Sequence, residues 1–336
     1  MFRTIFGFFQ SIVLIITVLT TSGHFVIGEL GCYLRRLDRM GIYDNRTRDS
    51  VPQTEFFDLI MDQFSQERDD GRTPKAIMIV YDGARADVLV NTRDCDESAI
   101  FLLQREGGHI YHMHTGGPFR NRQGLDTAQG FATILTGRWA NGPGGHGVLT
   151  NSHTKAMCPP LVFQPLLMQG YVDSAAFVVS WSGHFSRTNA EGVATGNYSN
   201  DVALFRALGL TCEEDMSQGA MQWSMNPNDD ESIATTIGML EDPDGPGFVV
   251  VSLEHVDSAG HRYGFGNHIP QYIEAFRRSE RAGLAMIDAI RARPTYENED
   301  WLIMITSDHG GFSFYHGTQF QVARQVFLAV NRDLGW

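Results

Sequence analysis

Apolar and polar residues follow one another along the chain in blocks that predict strands separated by helices. Four short apolar runs, rich in β-branched residues, have the length of buried strands. They are residues 76–82 (AIMIVYD), 172–181 (VDSAAFVVSW), 248–254 (FVVVSLE) and 301–307 (WLIMITS). Strands that alternate with helices favour parallel pairing. The pattern therefore predicts an α/β fold, a layered sandwich with a mostly parallel central sheet flanked by helices.

Two stretches carry apolar residues at helical spacing. Residues 54–68 (TEFFDLIMDQFSQER) predict an amphipathic helix that packs on the domain. Residues 270–293 predict a second helix, with Pro270 at its first position. Residues 196–232 show neither period, and we expect an irregular segment that forms part of a substrate lid.

The first 23 residues have the features of a secretory signal peptide. Arg3 precedes an apolar stretch at residues 5–19, and small residues follow at a position suited to cleavage. An uncleaved signal anchor is the alternative, because the continuation HFVIG brings the stretch near spanning length. We expect export across a membrane, and the alternative is that this segment anchors the exported protein in the membrane. Residues 24–74 then form an N-terminal lead with the amphipathic helix, and residues 75–336 form the catalytic domain.

Two further features agree with export. Glycosylation sequons begin at Asn45 and Asn197. The four cysteines, at positions 32, 95, 158 and 212, have no CxxC spacing, so a zinc ribbon is disfavoured. In an oxidising compartment disulfides can form, but four cysteines allow three pairings and the sequence does not choose among them.

Composition excludes one class of partner. The chain has 336 residues, of which 43% are hydrophobic and 19% are charged, which is enough for a large core. Its net charge is −13. Nucleic-acid polymers are bound by basic surfaces that neutralise phosphates, so we expect no polymer of this kind as a partner.

Carboxylates and imidazoles follow three of the predicted strands. In an open α/β sheet, functional groups gather beyond the carboxyl ends of the strands. Carboxylate oxygens and imidazole nitrogens are ligands for Zn²⁺ and similar cations, and six such groups suit two divalent ions. The six residues are Asp82, Asp257, His261, Asp308, His309 and His316.

A candidate nucleophile lies in LDTAQGFATILTG, residues 125–137. Thr127 precedes a run of small and apolar residues that predicts a helix ending at Gly137. A hydroxyl at a helix start can face a metal ion, while the helix N–H groups and dipole favour a phosphate. Thr127 or Asp126 could equally be a plain helix cap.

Four stretches, in order, resemble the type I phosphodiesterase / nucleotide pyrophosphatase branch of the alkaline phosphatase superfamily. They are IMIVYDGARADVL, DTAQGFATILTGRWANGPGGHGV, EHVDSAGHRYG and SDHGG followed by HG, within residues 76–317. The resemblance implies an alkaline phosphatase-like fold, two divalent metal ions with Zn²⁺ as the expected ion, and Thr127 as the nucleophile. It implies that one zinc is held by Asp82, Thr127, Asp308 and His309, and the other by Asp257, His261 and His316.

The function implied by this resemblance is a metal-dependent hydrolase that cleaves phosphodiester or pyrophosphate bonds through a phosphothreonine. The substrate would be a small phosphorylated molecule such as a nucleotide or a phospholipid head group. A phosphomonoesterase of the alkaline phosphatase type and a non-catalytic protein that binds phosphorylated ligands are the alternatives. A sulfatase is disfavoured because TAQGF lacks the Cys/Ser-x-Pro-x-Arg motif, and a cytosolic phosphoglycerate mutase is disfavoured by the leader.

The chain departs from the branch in three places. Relatives usually carry a phosphate-binding Asn three residues after the nucleophile, where this chain has Gly130, so another donor is expected to bind the phosphate oxygen. The opening DTA resembles the DSA of true alkaline phosphatases. Relatives also usually continue beyond the position of Trp336.

Four other histidines and one glutamate are not expected to bind metal. The run HIYHMH carries His109, His112 and His114 and predicts a strand rather than a metal site. His146 and Glu254 are expected to support the site without binding metal.

Overall fold

The computed structural model describes part of the chain, all of it within the compact unit Asn45–Trp336. The described residues are 50–92, 97–118, 122–148, 150–151, 159–181, 184 and 221–336. The predicted leader, both sequons and all four cysteines lie outside them. Among the described residues, no helix combines the length and the apolar character that a membrane crossing requires.

The described residues form one sheet of eight strands. The strands are β1 Val51–Pro52, β2 Thr73–Tyr81, β3 His109–His114, β4 Ala175–Val179, β5 Met221–Met225, β6 Phe248–Leu253, β7 Glu299–Thr306 and β8 Gln325–Val330. Their order across the sheet is β1-β3-β8-β7-β2-β6-β4-β5. β8 runs antiparallel to both of its neighbours, and the other described pairs are parallel. The predicted α/β fold with a mostly parallel sheet is confirmed.

Eight α-helices accompany these strands in the described part of the chain. They are α1 Glu55–Ser65, α2 Ala99–Arg105, α3 Thr127–Thr136, α4 Phe163–Met168, α5 Asp229–Glu241, α6 His255–Tyr263, α7 Pro270–Arg291 and α8 Gln321–Arg324. The predicted helices of residues 54–68 and 270–293 are therefore present with shorter bounds. The described part of the N-terminal lead joins the sheet, because β1 pairs with β3 and α1 buries Phe56 and Ile60.

Helices cover both faces of the sheet. Strand β2 shows this in its alternation, since Ala76, Met78 and Val80 face one apolar cluster, and the intervening side chains face the other. Phe56 of α1 and Phe131 of α3 pack in the first cluster. A central strand buried on both sides needs continuous apolar sequence, which explains why β2, β6 and β7 were recognisable as uninterrupted runs.

One predicted segment differs from the structure. Residues 221–225 of the supposed irregular segment 196–232 form the edge strand β5, paired in parallel with β4, and Asn228 caps helix α5. The Asn228 side chain accepts a hydrogen bond from the backbone N–H of Glu231, as a helix cap does. The strand was missed because MQWSM has little β-branched character and an edge strand needs less of it. Residues 196–220 lie outside the described part.

Candidate active site

Asp82 and Asp308 meet because the strands that precede them are neighbours. β2 and β7 run in parallel with Val80 opposite Thr306, so both chains leave the sheet at the same edge. Asp82 follows β2 directly, and Asp308 follows β7 by two residues. The Gly83 N–H donates to Oδ1 of Asp308 at 3.2 Å, which ties the two strand exits together. Asp82, Asp308 and His309 are all fully buried.

His309 lies at the centre of the first group of predicted ligands. Its Nε2 is 3.4 Å from Oδ1 of Asp82 and 3.5 Å from Oδ2 of Asp308. The same nitrogen lies 3.2 Å from Oγ1 of Thr127. Burial lowers the pKa of His309 to about 3, so the ring is neutral and can offer a lone pair. We call Asp82, Thr127, Asp308 and His309 the first ligand group.

Thr127 is the first residue of helix α3 and is 3% exposed. Its hydroxyl therefore stands at the end of the helix where free N–H groups and the positive pole of the dipole lie. Asp126 occupies the N-cap position, yet its side chain makes no capping hydrogen bond within the described residues. The alternative prediction is that Asp126 or Thr127 is a plain helix cap. In the described part of the chain Asp126 makes no capping hydrogen bond, and Thr127 lies inside the helix, so neither side chain caps α3.

The second group is built by helix α6 and the loop after β7. Asp257 and His261 are four residues apart in α6, so they share one helix face, and Nε2 of His261 lies 3.3 Å from Oδ2 of Asp257. The ring of His316 is centred 4.8 Å from that of His261 and 4.3 Å from that of His309. We call Asp257, His261 and His316 the second ligand group. Asp257 and His261 both lie in helix α6, directly after strand β6.

The carboxylates of the two ligand groups differ in the direction in which their pKa values are shifted. Burial raises the pKa of Asp82 well above its ordinary value, and the adjacent carboxylates, Asp308 first, raise it further. Burial likewise raises the pKa of Asp308. Burial would also raise the pKa of Asp257, but the hydrogen bond with His261 and the nearby histidines hold it below its usual value. The hydrogen bond with Asp257 raises the pKa of His261 in turn.

These groups fit divalent cations by their chemistry. Asp257, His309 and His316 bring ligand atoms within 4.8 Å of one another, with His309 in the place predicted for His261, and so do Asp82, Asp308 and His309. Both oxygens of Asp82, Oδ2 of Asp308 and Oδ1 of Asp257 are buried without a hydrogen-bond partner in the described part of the chain. A buried carboxylate without a donor is costly, and a bound cation relieves that cost.

A third group of this kind was not foreseen. Asp82, His184 and Glu254 also bring ligand atoms within 4.8 Å of one another. Glu254 follows β6, and His184 follows β4 by a few residues. Both therefore lie beyond the carboxyl ends of strands, as the other predicted ligands do. Burial raises the pKa of Glu254 well above its ordinary value, and Asp257 raises it further. Glu254 thus lies against the first ligand group, and its expected supporting function stays a prediction.

Asn151 is a second residue that sequence reasoning missed. Its Oδ1 accepts a hydrogen bond from the N–H of Ala128 at 2.9 Å, so its amide group lies at the first turn of α3, beside Thr127. Two contacts hold the preceding chain on α3. Gln129 donates from Nε2 to the Val148 carbonyl at 3.0 Å, and Nε2 of His146 lies 3.2 Å from Oγ1 of Thr133. No sequence pattern near Asn151 predicts this contact, because the residue lies 23 positions from Ala128, in the loop that follows α3.

His146 contacts α3 through Thr133. Its Nδ1 accepts a hydrogen bond, so its Nε2 carries the proton and faces Oγ1 of Thr133 at 3.2 Å. Burial lowers the pKa of His146 to about 3. The histidines of HIYHMH form β3 as predicted, and in the described part of the chain none of them belongs to a metal-type group.

Gly130 has a steric reason to lack a side chain. A Cβ at this position would lie 2.7 Å from the carbonyl oxygen of Asp308 and 2.8 Å from its Cβ. Helix α3 therefore approaches the chain that carries Asp308 as closely as backbone atoms permit. The Asn that the resemblance associates with this position would not fit.

Comparison with known proteins places the chain in a family. A family model, type I phosphodiesterase / nucleotide pyrophosphatase, matches residues 76–316, which is more than half of the chain. A comparison with functionally curated protein sequences gave no match.

Solved structures of several hydrolases are similar. Murine ectonucleotide pyrophosphatase / phosphodiesterase 5, in complex with AMP, is 15% identical with a TM-score of 0.47, covering 70% of this chain and 57% of that chain. Phosphonate monoester hydrolase of Agrobacterium radiobacter is 14% identical with a TM-score of 0.48, covering 77% of this chain and 68% of that one. Alkaline phosphatase from the Antarctic bacterium TAB5 is 13% identical with a TM-score of 0.44, with coverages of 77% and 91%.

The family match and the quoted motifs agree in extent and position. The match begins in β2, six residues before Asp82, and ends at His316, so it contains both ligand groups and the helix that begins at Thr127. The chain belongs to the type I phosphodiesterase / nucleotide pyrophosphatase family.

Proposed function

We propose that this protein is a hydrolase that cleaves phosphodiester or pyrophosphate bonds through a phosphothreonine on Thr127. One observation carries the proposal. The Thr127 hydroxyl lies at a helix start, 3.2 Å from Nε2 of the neutral His309, and the neighbouring carboxylates Asp82 and Asp308 are buried. A free threonine is a weak nucleophile at its ordinary pKa, so this hydroxyl needs activation, which a cation held by His309 and the other members of the first ligand group would supply.

Two divalent cations, with Zn²⁺ as the proposed ion, would be held by the first and second ligand groups. Bound there, they would supply the positive charge that lowers the pKa of a hydroxyl and balances the charge of a phosphoryl group. The orphaned oxygens of Asp82, Asp257 and Asp308 support this proposal. A set of imidazole nitrogens and carboxylate oxygens suits zinc better than magnesium, which prefers oxygen alone.

The proposed reaction has two displacements at phosphorus. In the first, Oγ1 of Thr127 bonds to phosphorus while the bond to the leaving oxygen breaks, and the leaving group takes up a proton. In the second, water attacks the phosphothreonine, the bond to Thr127 breaks, and the phosphate product departs with the hydroxyl restored. The leaving group of the substrate would lie beside the second ligand group, where the His261 side chain is 42% exposed to solvent.

Donors for the phosphate oxygens are available at the start of α3. We assign this function to the amide of Asn151 together with the free backbone N–H groups of the first helical turn. The Asn151 amide has its oxygen engaged by Ala128, which leaves its NH₂ group as the donor. This assignment replaces the side chain that Gly130 lacks.

A phosphomonoesterase on the same site is the second candidate, and one observation favours it. The group Asp82, His184 and Glu254 offers room for a further cation next to the first ligand group. A monoester dianion carries one more negative oxygen than a diester, so additional positive charge near the phosphate favours monoesters.

The deciding experiment is a hydrolysis panel on one preparation of the full chain. We would compare kcat/KM for bis-p-nitrophenyl phosphate, p-nitrophenyl phosphate and a nucleotide pyrophosphate, after chelation and again after Zn²⁺ is restored. The proposal expects diester or pyrophosphate preference, loss on chelation and recovery with zinc. A monoester preference that vanishes with Thr127→Ala would select the second candidate. Full activity of protein shown to be metal-free would refute both.

We also propose that the chain is exported and that its substrate is a small extracytoplasmic phosphorylated molecule. The apolar leader and the two sequons support this. N-terminal sequencing of protein from a secreting host should show loss of about the first 23 residues. Recovery of the chain in the cytosol with Met1 intact would contradict export.

A further inference from the structure

Asp126 directly precedes the proposed nucleophile, and its side chain is turned away from the helix it starts. An aspartate at the N-cap normally accepts a hydrogen bond from an N–H of the first turn. Here the N–H of Ala128 is taken by Asn151 at 2.9 Å. The Asp126 carbonyl still accepts the first helical hydrogen bond, from Gly130 at 2.9 Å. Because Asn151 caps the helix, the carboxylate of Asp126 is free for another contact.

That contact is with a member of the second ligand group. Oδ1 of Asp126 lies 3.0 Å from Nδ1 of His316, and the two side chains are 20% and 11% exposed. The backbone supports the pair, since the Gly317 N–H donates to the Leu125 carbonyl at 3.0 Å. Gly317 has a φ of 89°, and a Cβ on it would lie 3.2 Å from Oδ1 of Asp126. The turn after His316 is therefore shaped around this carboxylate.

The hydrogen bond determines which nitrogen of His316 is available. A carboxylate accepts, so Nδ1 of His316 must carry the proton and Nε2 must carry the lone pair. A carboxylate that holds a metal-binding histidine in this way fixes its tautomer and ring orientation and increases its basicity. The ring of His316 is also held between the rings of His261 and His309, at 4.8 Å and 4.3 Å between centroids.

We infer that Asp126 is a positioning residue that orients His316 for the second cation and thereby couples the start of the nucleophile helix to the leaving-group side of the site. The inference rests on the proposed two-cation function. Thr127 follows Asp126 in the chain, so one dipeptide touches both ligand groups. Any movement of α3 that displaces the nucleophile also displaces the hydrogen bond that orients His316.

The test is a metal-affinity measurement on the full chain. Apo-protein is titrated with Zn²⁺ against a chromophoric chelator, and two dissociation constants are fitted for the wild type and each variant. Asp126→Ala should weaken the second ion by about 10- to 100-fold and leave the first nearly unchanged, which is the range measured for carboxylates behind metal-binding histidines. Asp126→Asn keeps an acceptor oxygen without the charge, so it should weaken the binding of the second ion less than Asp126→Ala does. Asp62→Ala, at an exposed site on α1, is the matched control and should change neither constant.

A second readout separates positioning from simple structural damage. Nitrogen-15 NMR of the imidazole of His316, assigned by loss of its signal in His316→Gln, reports the tautomer directly. The wild type should show the proton on Nδ1, and Asp126→Asn, which can fold with an isosteric side chain, should keep it there. Asp126→Ala should shift the population toward Nε2.

The outcomes distinguish this inference from the proposed function. If the wild type binds two ions and Asp126→Ala binds both with unchanged constants, the inference is wrong and the proposed function stands. If the wild type binds no second ion, the proposed two-cation function fails and the inference fails with it.

Discussion

The hydroxyl oxygen of Thr127 and Nε2 of His309 lie 3.2 Å apart, although 182 positions separate the two residues in the chain. The contact joins the first residue of α3 to the loop that follows β7. It makes Thr127 the hydroxyl at the first ligand group, and the first prediction concerns this atom.

Thr127→Ala should remove hydrolysis of every substrate that uses the site, with a loss in kcat on the order of 10³-fold or more, because loss of a nucleophile removes the covalent route. Thr127→Ser keeps a hydroxyl and should retain activity above the alanine variant. The measurement is kcat on bis-p-nitrophenyl phosphate, combined with mass spectrometry of acid-quenched enzyme for phosphate on Thr127. Thr136→Ala is the control, since its hydroxyl donates to the Ala132 carbonyl at the far end of α3.

Asn151→Ala should lower kcat by about 10²- to 10³-fold with a smaller effect on KM, because a donor aimed at developing charge acts mainly in the transition state. The variant also exposes the N–H of Ala128, so a stability loss of about 1 kcal/mol is expected for the missing cap. Steady-state kinetics and urea unfolding measure the two effects. Asn141→Ala, an exposed site in the same loop, should leave kcat unchanged. An unaltered kcat in Asn151→Ala would remove Asn151 from the proposed machinery.

Gly130→Ala should destabilise the fold and impair activity together. The new Cβ would meet the backbone of Asp308 at 2.7 Å, so α3 must move away from the first ligand group. Overpacking of this kind costs about 1–3 kcal/mol. Gly238→Ala is the matched comparison, because Gly238 lies inside α5 with no atom within 4 Å of the added carbon. That variant should gain about 0.5–1 kcal/mol from helix propensity. Urea unfolding of both variants decides the matter, and equal effects would contradict the close approach.

Glu280 should make stability depend on pH. Its Oε2 accepts hydrogen bonds from the Ser98 hydroxyl and, at 3.4 Å, from the Ile100 N–H, and the residue is 1% exposed. Burial raises its pKa to about 7, from about 4.5 in the ordinary state. The folded state therefore holds a proton that the unfolded state has released. The stabilisation is complete below pH of about 4.5 and is lost as the pH rises to about 7.

The corresponding experiment compares Glu280→Gln with the wild type by urea unfolding at several pH values. Each pH unit of this window corresponds to about 1.4 kcal/mol, so the free energy of unfolding of the wild type should fall by on the order of 3 kcal/mol relative to the variant. Glu241→Gln, an exposed glutamate on α5, should follow the wild type. Parallel curves for wild type and Glu280→Gln would show that Glu280 is ionised in the folded state.

The sequence was most informative where burial on both faces forces an unbroken apolar run. β2, β6 and β7 are such strands, and the acidic residues beyond them could be located by position alone. The direction of β8 could not be predicted, because QVFLAV is equally apolar whether it runs with or against its neighbours. The edge strand β5 was missed for the opposite reason, since its residues range only from half-buried to exposed and carry no strong pattern.

The parts of the site that escaped prediction depend on contacts between distant segments. Asp126 and His316 are 190 positions apart, and nothing near either residue indicates the other. Asn151 acts on α3 from a loop held by His146 and Gln129. Gly130 was recognised as a departure, but its reason is the proximity of Asp308, which only tertiary packing reveals.

The place of β2 between β6 and β7 also has a consequence for the order of events during folding. The N–H of Gly83 bonds to the side chain of Asp308, 225 positions later, and Gln53 donates from Nε2 to the carbonyls of Ser307 and Asp308. During synthesis, β2 therefore leaves the ribosome long before the strand that completes its pairing. Contacts of such long range slow folding, because a large loop must close before any of them forms. The two ligand groups are thus assembled late in folding, and metal ions bound there would capture the finished domain without guiding its early steps.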